Sequence, residues 1–312
     1  MSVITKETKQ EETFAGKPKK VSWERLWTFS GGPFKLTGWP KSNTHTDPEV
    51  AKRRGLPTSG AASGTQFHGY AVQLMIALFG VEWLSHGMTD VKFIGIVDAG
   101  DTVVAKAMVT SKEAQDGATK FTLDVYCENQ RGEKVLVGLA TGLIGEIIPS
   151  WAAAAFSNRL AELMADSRLQ PDVSGRYELE PLEYVVTPEL NQQYLYGEED
   201  FRPCYIEDTE IGPPIAHPAL ILNWSNSTRS PSYNEQAMQK GQRSGLHARD
   251  EAFFCAPARV GKKLRVTYKP LATYEKRGAI FSIYQSFVVD EDGLEIVKRF
   301  IYGGGGRYIA KG

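Results

Sequence analysis

The sequence predicts an α+β fold built twice in one chain, each half an antiparallel sheet wrapped round a long buried helix. Three observations carry that expectation. Residues 67–80, FHGYAVQLMIALFG, open on a polar, glycine-containing turn and are almost wholly apolar from Ala71 to Phe79. Such a run is too short to cross a bilayer and reads as a helix buried on all sides. Downstream, β-branched runs alternate with Asp-Gly and Arg-Gly pairs, the signature of antiparallel hairpins. Finally, the turn glycines recur with equal spacing: Gly100 to Gly117 and Gly261 to Gly278 both span 17 residues, and Gly117 to Gly132 and Gly278 to Gly293 both span 15. Two matching intervals at corresponding turns indicate an internal duplication.

Length and composition bound the rest. A chain of 312 residues has room for two domains of about 150 residues each. With 42% hydrophobic and 23% charged residues, it can bury a core as ordinary globular chains do. Its 36 basic and 37 acidic side chains nearly cancel, so no global field points to nucleic acid or an anionic membrane. Cys127, Cys204 and Cys255 form neither a disulfide framework nor a metal-spaced pair, which suits a reducing cytoplasm and implies no metal. No motif calls for a cofactor.

Taken in order, residues 1–21 are polar, lack a signal-peptide core and read as a solvated, mobile arm. The first unit covers residues 22–150. An aromatic stretch at 22–30 enters it, and a turn-rich loop from Gly31 to Gly64 follows, with Asp47 and Pro48 placed to cap and start a short helix. After the apolar helix come strands at 91–97, 102–109, 121–128 and 134–144. Residues 151–180 read as an amphipathic linker helix ended by Gln170-Pro171-Asp172. The second unit, 181–305, repeats the strands at 253–254, 264–268, 280–289 and 296–302. It carries a polar insertion from Ser232 to Ser244, and 306–312 form a tail. Gly303 to Gly306 lack the Lys-Ser/Thr of a phosphate loop and belong to that tail.

Specific phrases resemble the MaoC-like hydratases of the enoyl-CoA hydratase 2 group, whose fold is the double hotdog. Asn43-Thr44-His45-Thr46-Asp47 with Ala51 and Gly55 is similar to the family's Asp-x-Asn-Pro-x-His-x-Asp stretch. Phe67-His68-Gly69-Tyr70 is similar to its Ile-x-His-Gly-Met helix start, and Val91-Lys92-Phe93 with Val97 and Gly100-Asp101 to its following strand. In the second half, Glu199 to Tyr205, Ile215-Ala216-His217-Pro218 and Tyr274 to Gly278 also match. The resemblance covers residues 22–305.

It implies an enzyme that adds water to, or removes it from, a 2-enoyl/3-hydroxyacyl thioester such as an acyl-CoA. In the family an Asp and a His five residues apart activate one water, and the helix-start glycine donates its N–H to the thioester oxygen. Aligned on His45, the Asp position holds Pro40. In the second half Asp200 occupies the Asp position and Tyr205 the His position. Gly69 keeps the amide donor, whereas Pro218 has none. The resemblance therefore makes the first half the active one. His45 handles the proton, Gly69 polarises the carbonyl, and Asp47 or Asp200 supplies the missing carboxylate. His68 and Tyr205 line the substrate, and Lys52, Arg53 and Arg54 receive phosphates of the coenzyme handle. The broken dyad leaves two alternatives: a repurposed thioester hydrolase, isomerase or decarboxylase, or a non-catalytic acyl-binding subunit. By position alone, His68 and His217 stand at equivalent helix starts and read as capping or packing residues, and His86 and His247 carry no role. Nothing in the sequence fixes the assembly state, and a homo-oligomer remains open.

Overall fold

The structure, a computed structural model, describes residues 4–31, 43–53, 60–115, 117–146, 151–171, 181–226 and 246–304. Pro40, Arg54, the segment from Ser232 to Ser244 and the tail 306–312 lie outside the described residues. In the first half, β1 (Thr13–Ala15), β2 (Lys19–Lys20), α1 (Trp23–Ser30) and α2 (Pro48–Arg53) precede α3 (Gly64–Phe79). Then come β3 (Met88–Phe93), β4 (Thr102–Gln115), β5 (Ala118–Asn129) and β6 (Lys134–Gly145). After α4 (Trp151–Ala165) the second half runs through β7 (Gln170–Pro171), β8 (Leu182–Val185), α5 (Pro188–Glu198) and α6 (Pro218–Trp224). It ends with β9 (Leu246–Phe254), β10 (Lys263–Lys276), β11 (Ala279–Asp290) and β12 (Glu295–Gly304).

The strands form one sheet in the order β1-β4-β5-β6-β3-β9-β12-β11-β10-β7, with β2 paired to β4 and β8 to β10. The halves meet where β3 and β9 pair antiparallel, from Met88 opposite Phe253 to Lys92 opposite Arg249. Duplication extends to irregularities. The ladder of β4 and β5 slips at Thr110, ten residues past Gly100, and that of β10 and β11 slips at Leu271, ten past Gly261. All six turn glycines of the repeat adopt positive φ, which explains why glycine marks each turn.

Helix α3 is buried on every side except at Gly64 and Ala77. It starts at Gly64, seven residues before the apolar run, so Phe67 to Tyr70, expected as a turn, are helical. Polar residues at its start are buried because distant groups satisfy them: Thr65 Oγ1 donates to Asn223 Oδ1 at 2.9 Å and Gln66 Nε2 to the Gly197 carbonyl at 3.1 Å. In the second half the long central helix expected by repeat is described only over α6.

The N-terminal segment differs from the solvated arm expected of it. Ile4, Phe14 and Val21 are buried, the Ile4 amide donates to the Leu78 carbonyl at 2.9 Å, and β1 and β2 pair with β4. Covering β4 in this way removes an open sheet edge. The linker helix also ends sooner than expected, at Ala165, and Gln170 and Pro171 pair with β10 instead of closing the helix. Helix α4 covers the outer face of the second half, where Phe156 stacks on Phe300 with ring centroids 4.5 Å apart.

Between the halves lies a buried ion pair. Arg299 Nε donates to Asp250 Oδ1 at 3.1 Å and its Nη2 to Oδ2, while Nη1 donates to the Leu222 carbonyl at 2.7 Å. Neither partner touches solvent, so removing one strands the other charge. Arg299→Met should therefore cost about 3–5 kcal/mol of stability in urea titrations; a loss below about 1 kcal/mol would contradict this role.

Candidate functional site

Asp47 does what its position before Pro48 predicts. Its Oδ1 accepts from the amides of Glu49 (2.9 Å) and Val50 (3.3 Å), capping α2. His45 is half-buried, with ring Nδ1 2.9 Å from the Ala61 carbonyl. A carbonyl only accepts, so Nδ1 carries the proton and Nε2 is the basic nitrogen of the neutral ring. Lys52 is exposed on α2, and Arg53 is its last residue.

Gly69 departs from its expected role. It is the sixth residue of α3, beyond the first four amides that lack acceptors within a helix. Its Cα is covered as well: a Cβ placed there would stand 2.6 Å from Glu198 Oε2 and 2.8 Å from Ala219 Cβ. His68 is also elsewhere. Its Nε2 lies 2.9 Å from Thr89 Oγ1 and its Nδ1 3.4 Å from Asp250 Oδ2, so it belongs to the ion-pair region between the halves.

The residues that converge are those of the loop between α5 and α6. Glu198, Glu199 and Asp200 read as a solvated acidic run, yet only Glu199 is exposed; Glu198 is fully buried and Asp200 is 5% exposed. Helix α5 ends with Glu199 in the left-handed conformation, and this turns Asp200 inward. Asn191 on α5 fixes the loop: its Nδ2 donates to the Tyr205 and Ile215 carbonyls (3.0 and 3.2 Å), and its Oδ1 accepts from the His217 amide (2.7 Å). His217 caps α6 as predicted, Nδ1 accepting from the Ala219 amide at 3.2 Å. That bond places the ring proton on Nε2, which faces Asp200 Oδ2 at 3.4 Å. The Tyr205 ring packs on the His217 ring with centroids 4.9 Å apart.

Two cations complete the cluster. Lys19 on β2 donates from Nζ to the Glu199 carbonyl at 2.7 Å. Arg202 donates from Nη2 to the Gln73 carbonyl at 2.9 Å, with Nε 3.4 Å from Asp200 Oδ1. Gln73 on α3 donates from Nε2 to Glu198 Oε2 at 2.6 Å. Among the described residues, Glu198 Oε1 is buried with no hydrogen-bond partner, and Asp200 Oδ2 with His217 Nε2, and Tyr205 with Arg202 Nη1, face each other without good hydrogen-bond geometry. Buried polar atoms are almost always satisfied, so this concentration marks a place that takes water or a ligand.

Electrostatics separates the two acids. Burial pushes Glu198 well above its ordinary range, with Asp200 adding to the rise, and Lys19 and the Gln73 hydrogen bond only partly offset it. Burial also pulls Asp200 upward, but His217, Arg202 and Lys19 outweigh it and hold the carboxyl below its usual value. Burial lowers the His217 value despite Asp200, which keeps the ring neutral. Burial lowers the Lys19 value against the pull of Asp200, Glu198 and Glu199; Lys19 and Arg202 are the cations placed to meet a developing anion. Residue identity alone gave no sign of Lys19, Gln73 and Arg202, since they reach the site from distant segments; the adjacency of Glu198 and Asp200 was the one local signal.

No group of metal-ligating side chains and no helix long and apolar enough to cross a membrane occurs among the described residues. A hollow of about 800 Å³ on the outer face of the first half, bordered by Phe14, Met108, Tyr126 and Leu139, shares no residue with this cluster.

No protein-family model matches the chain, and no curated protein sequence matches it significantly. Solved structures do. A protein described as a MaoC-domain dehydratase from Chloroflexus aurantiacus superposes with a TM-score of 0.67 at 12% identity, over 96% of each chain. A Mycobacterium tuberculosis protein with a double hotdog fold gives 0.62 at 10% identity, covering 96% of this chain and 97% of that one. The protein has the double hotdog fold. A MaoC-like dehydratase gives 0.60 at 14% identity, over 95% of this chain and 98% of its own. The fold expected from the helix, hairpins and glycine spacing is thus the observed one.

Glu198 yields a test of these electrostatics. Its folded value lies above the ordinary 4.5, so the folded chain keeps a proton that the unfolded chain releases, and stability falls as pH rises above that value. Glu198→Gln removes this dependence. Its stability relative to wild type should grow as pH rises above about 5, by up to about 1.4 kcal/mol per unit, in urea titrations. Parallel curves for the two proteins would contradict a buried neutral acid.

Proposed function

We propose that this double hotdog protein is a hydro-lyase that adds water to, or removes it from, a 2-enoyl/3-hydroxyacyl thioester, with Asp200 and His217 as its acid–base pair. The observation that carries the reading is the set of poorly satisfied buried polar atoms around Asp200 and His217. In hydration, a water bound beside Asp200 Oδ2 and His217 Nε2 accepts from the imidazole N–H and gives up a proton to the Asp200 carboxylate while its oxygen bonds C3. The electron pair displaced from the C2–C3 double bond moves onto the thioester oxygen, where Lys19 and Arg202 stabilise it. A proton then returns to C2. The Tyr205 ring, where the family carries its histidine, holds the His217 ring in place. Coenzyme A is the proposed carrier, with Lys52 on α2 suited to its phosphates. Three free cysteines, none paired, suit a cytoplasmic setting.

One observation favours a second reading. The His45 ring is oriented by the Ala61 carbonyl so that Nε2 is basic, which fits a general base in the N-terminal half. Assaying a panel of enoyl-CoA esters separates the two. Asp200→Asn should lower kcat by about 10²–10⁴-fold, a larger loss than His45→Ala causes. The reverse order would move the chemistry to His45, and a product that lacks the mass of one added water would overturn hydration.

A further inference from the structure

We infer that the buried Glu198 carboxyl group donates a hydrogen bond to the carbonyl oxygen of the bound thioester, in place of the Gly69 amide. The inference rests on the hydro-lyase reading and adds the group that binds the oxyanion.

In α3 the Gly69 amide lies inside the helix, past the positions that lack acceptors, so it is not the donor to a thioester oxygen. In α6, Pro218 has no N–H, the Ala219 amide donates to His217 Nδ1 at 3.2 Å, and the Leu220 amide donates to the His217 carbonyl at 3.0 Å. No amide in that first turn is left for a ligand. Yet an enolate-like oxygen needs a positioned donor, and losing one typically costs about 10²–10³-fold in kcat.

Glu198 stands where such a donor belongs. Its carboxyl group lies at the crossing of the two central helices, against Gly69 Cα, and Gly69 in turn faces Ala219. The side chain is wholly buried. Its two oxygens are distinguished by their surroundings. Oε2 accepts from Gln73 Nε2 at 2.6 Å, so the acid proton resides on Oε1. Oε1 is buried and, among the described residues, has no partner. The arrangement is therefore an O–H donor held in a fixed orientation, without an acceptor, two residues from Asp200. Burial raises this acid's value while His217, Arg202 and Lys19 lower that of its neighbour, and the opposite shifts suit the same turn to hold a donor and a base.

The test compares Glu198→Gln with Glu198→Leu. A glutamine amide can donate where Oε1 does and accept from Gln73 where Oε2 does; leucine can do neither. With an enoyl-CoA substrate, E198Q should lose less than about tenfold in kcat and E198L about 10²–10³-fold, with KM moving little. A readout independent of turnover is the infrared carbonyl band of carbonyl-labelled butyryl-CoA bound to each protein. It should shift to lower frequency on wild type and E198Q, but not on E198L. If E198L does not fold, the pH profile decides. Wild type should lose kcat at high pH as Glu198 ionises, and E198Q should lack that limb. Lys19, Asp200, Tyr70, Cys127 and Tyr194, the other titratable groups around Glu198, are common to both proteins. E198Q as inactive as E198L, or E198L as active as wild type, would overturn the inference while leaving the hydro-lyase reading intact. A wild-type protein that turns over no thioester would overturn both.

Discussion

At Gly69 two buried helices meet with no room for a side chain between them, and the candidate site is built around that crossing. Thr65 bonds Asn223 while Gly69 faces Ala219, so α3 and α6 run antiparallel through the shared core. Any Cβ at position 69 would push into the Glu198 carboxyl or the Ala219 methyl. The close approach brings the end of α5 and the start of α6 onto the face of α3. Gln73 can then hold Glu198, and Arg202 can bond the Gln73 carbonyl. A glycine that the family pattern marks as an amide donor serves here as the point of closest packing.

Two buried charge clusters of the second half differ in how they are satisfied. On β9, Asp250 is neutralised directly by Arg299, which also ties β12 to the end of α6. In the α5–α6 loop, Asp200 is flanked by Arg202, Lys19 and a neutral His217, none of them in close bidentate contact. A paired carboxylate in a dry interior has little left to offer a ligand. One surrounded by poorly satisfied donors and acceptors can take a water and exchange its proton. The difference between the two clusters is thus one of satisfaction rather than of residue type.

Much of the fold was legible because its signals are local. The uninterrupted apolar run gave the central helix, and positive-φ turns require the six glycines whose spacing exposed the repeat. Asp47 and His217 were readable as caps since each precedes a helix-starting proline. What escaped depends on contacts across the chain. Residues 4–21 look solvated until β4 is there to pair with them. The acidic run 198–200 looks exposed until Glu199 adopts a left-handed turn and sends its neighbours inward. Gly69 kept the family's sequence around it, but α3 extends back to Gly64 because Asn223 and Gly197 satisfy its polar start.

The central claim is that the reacting centre lies at the buried polar cluster between the α5–α6 loop and the face of α3. A structure of the protein with a non-hydrolysable acyl-CoA analogue tests it most directly. The account predicts the carbonyl oxygen within hydrogen-bonding distance of Glu198 Oε1, with C3 facing Asp200 and His217. An analogue bound with its carbonyl beside His45, or on the outer face of the sheet, would contradict it.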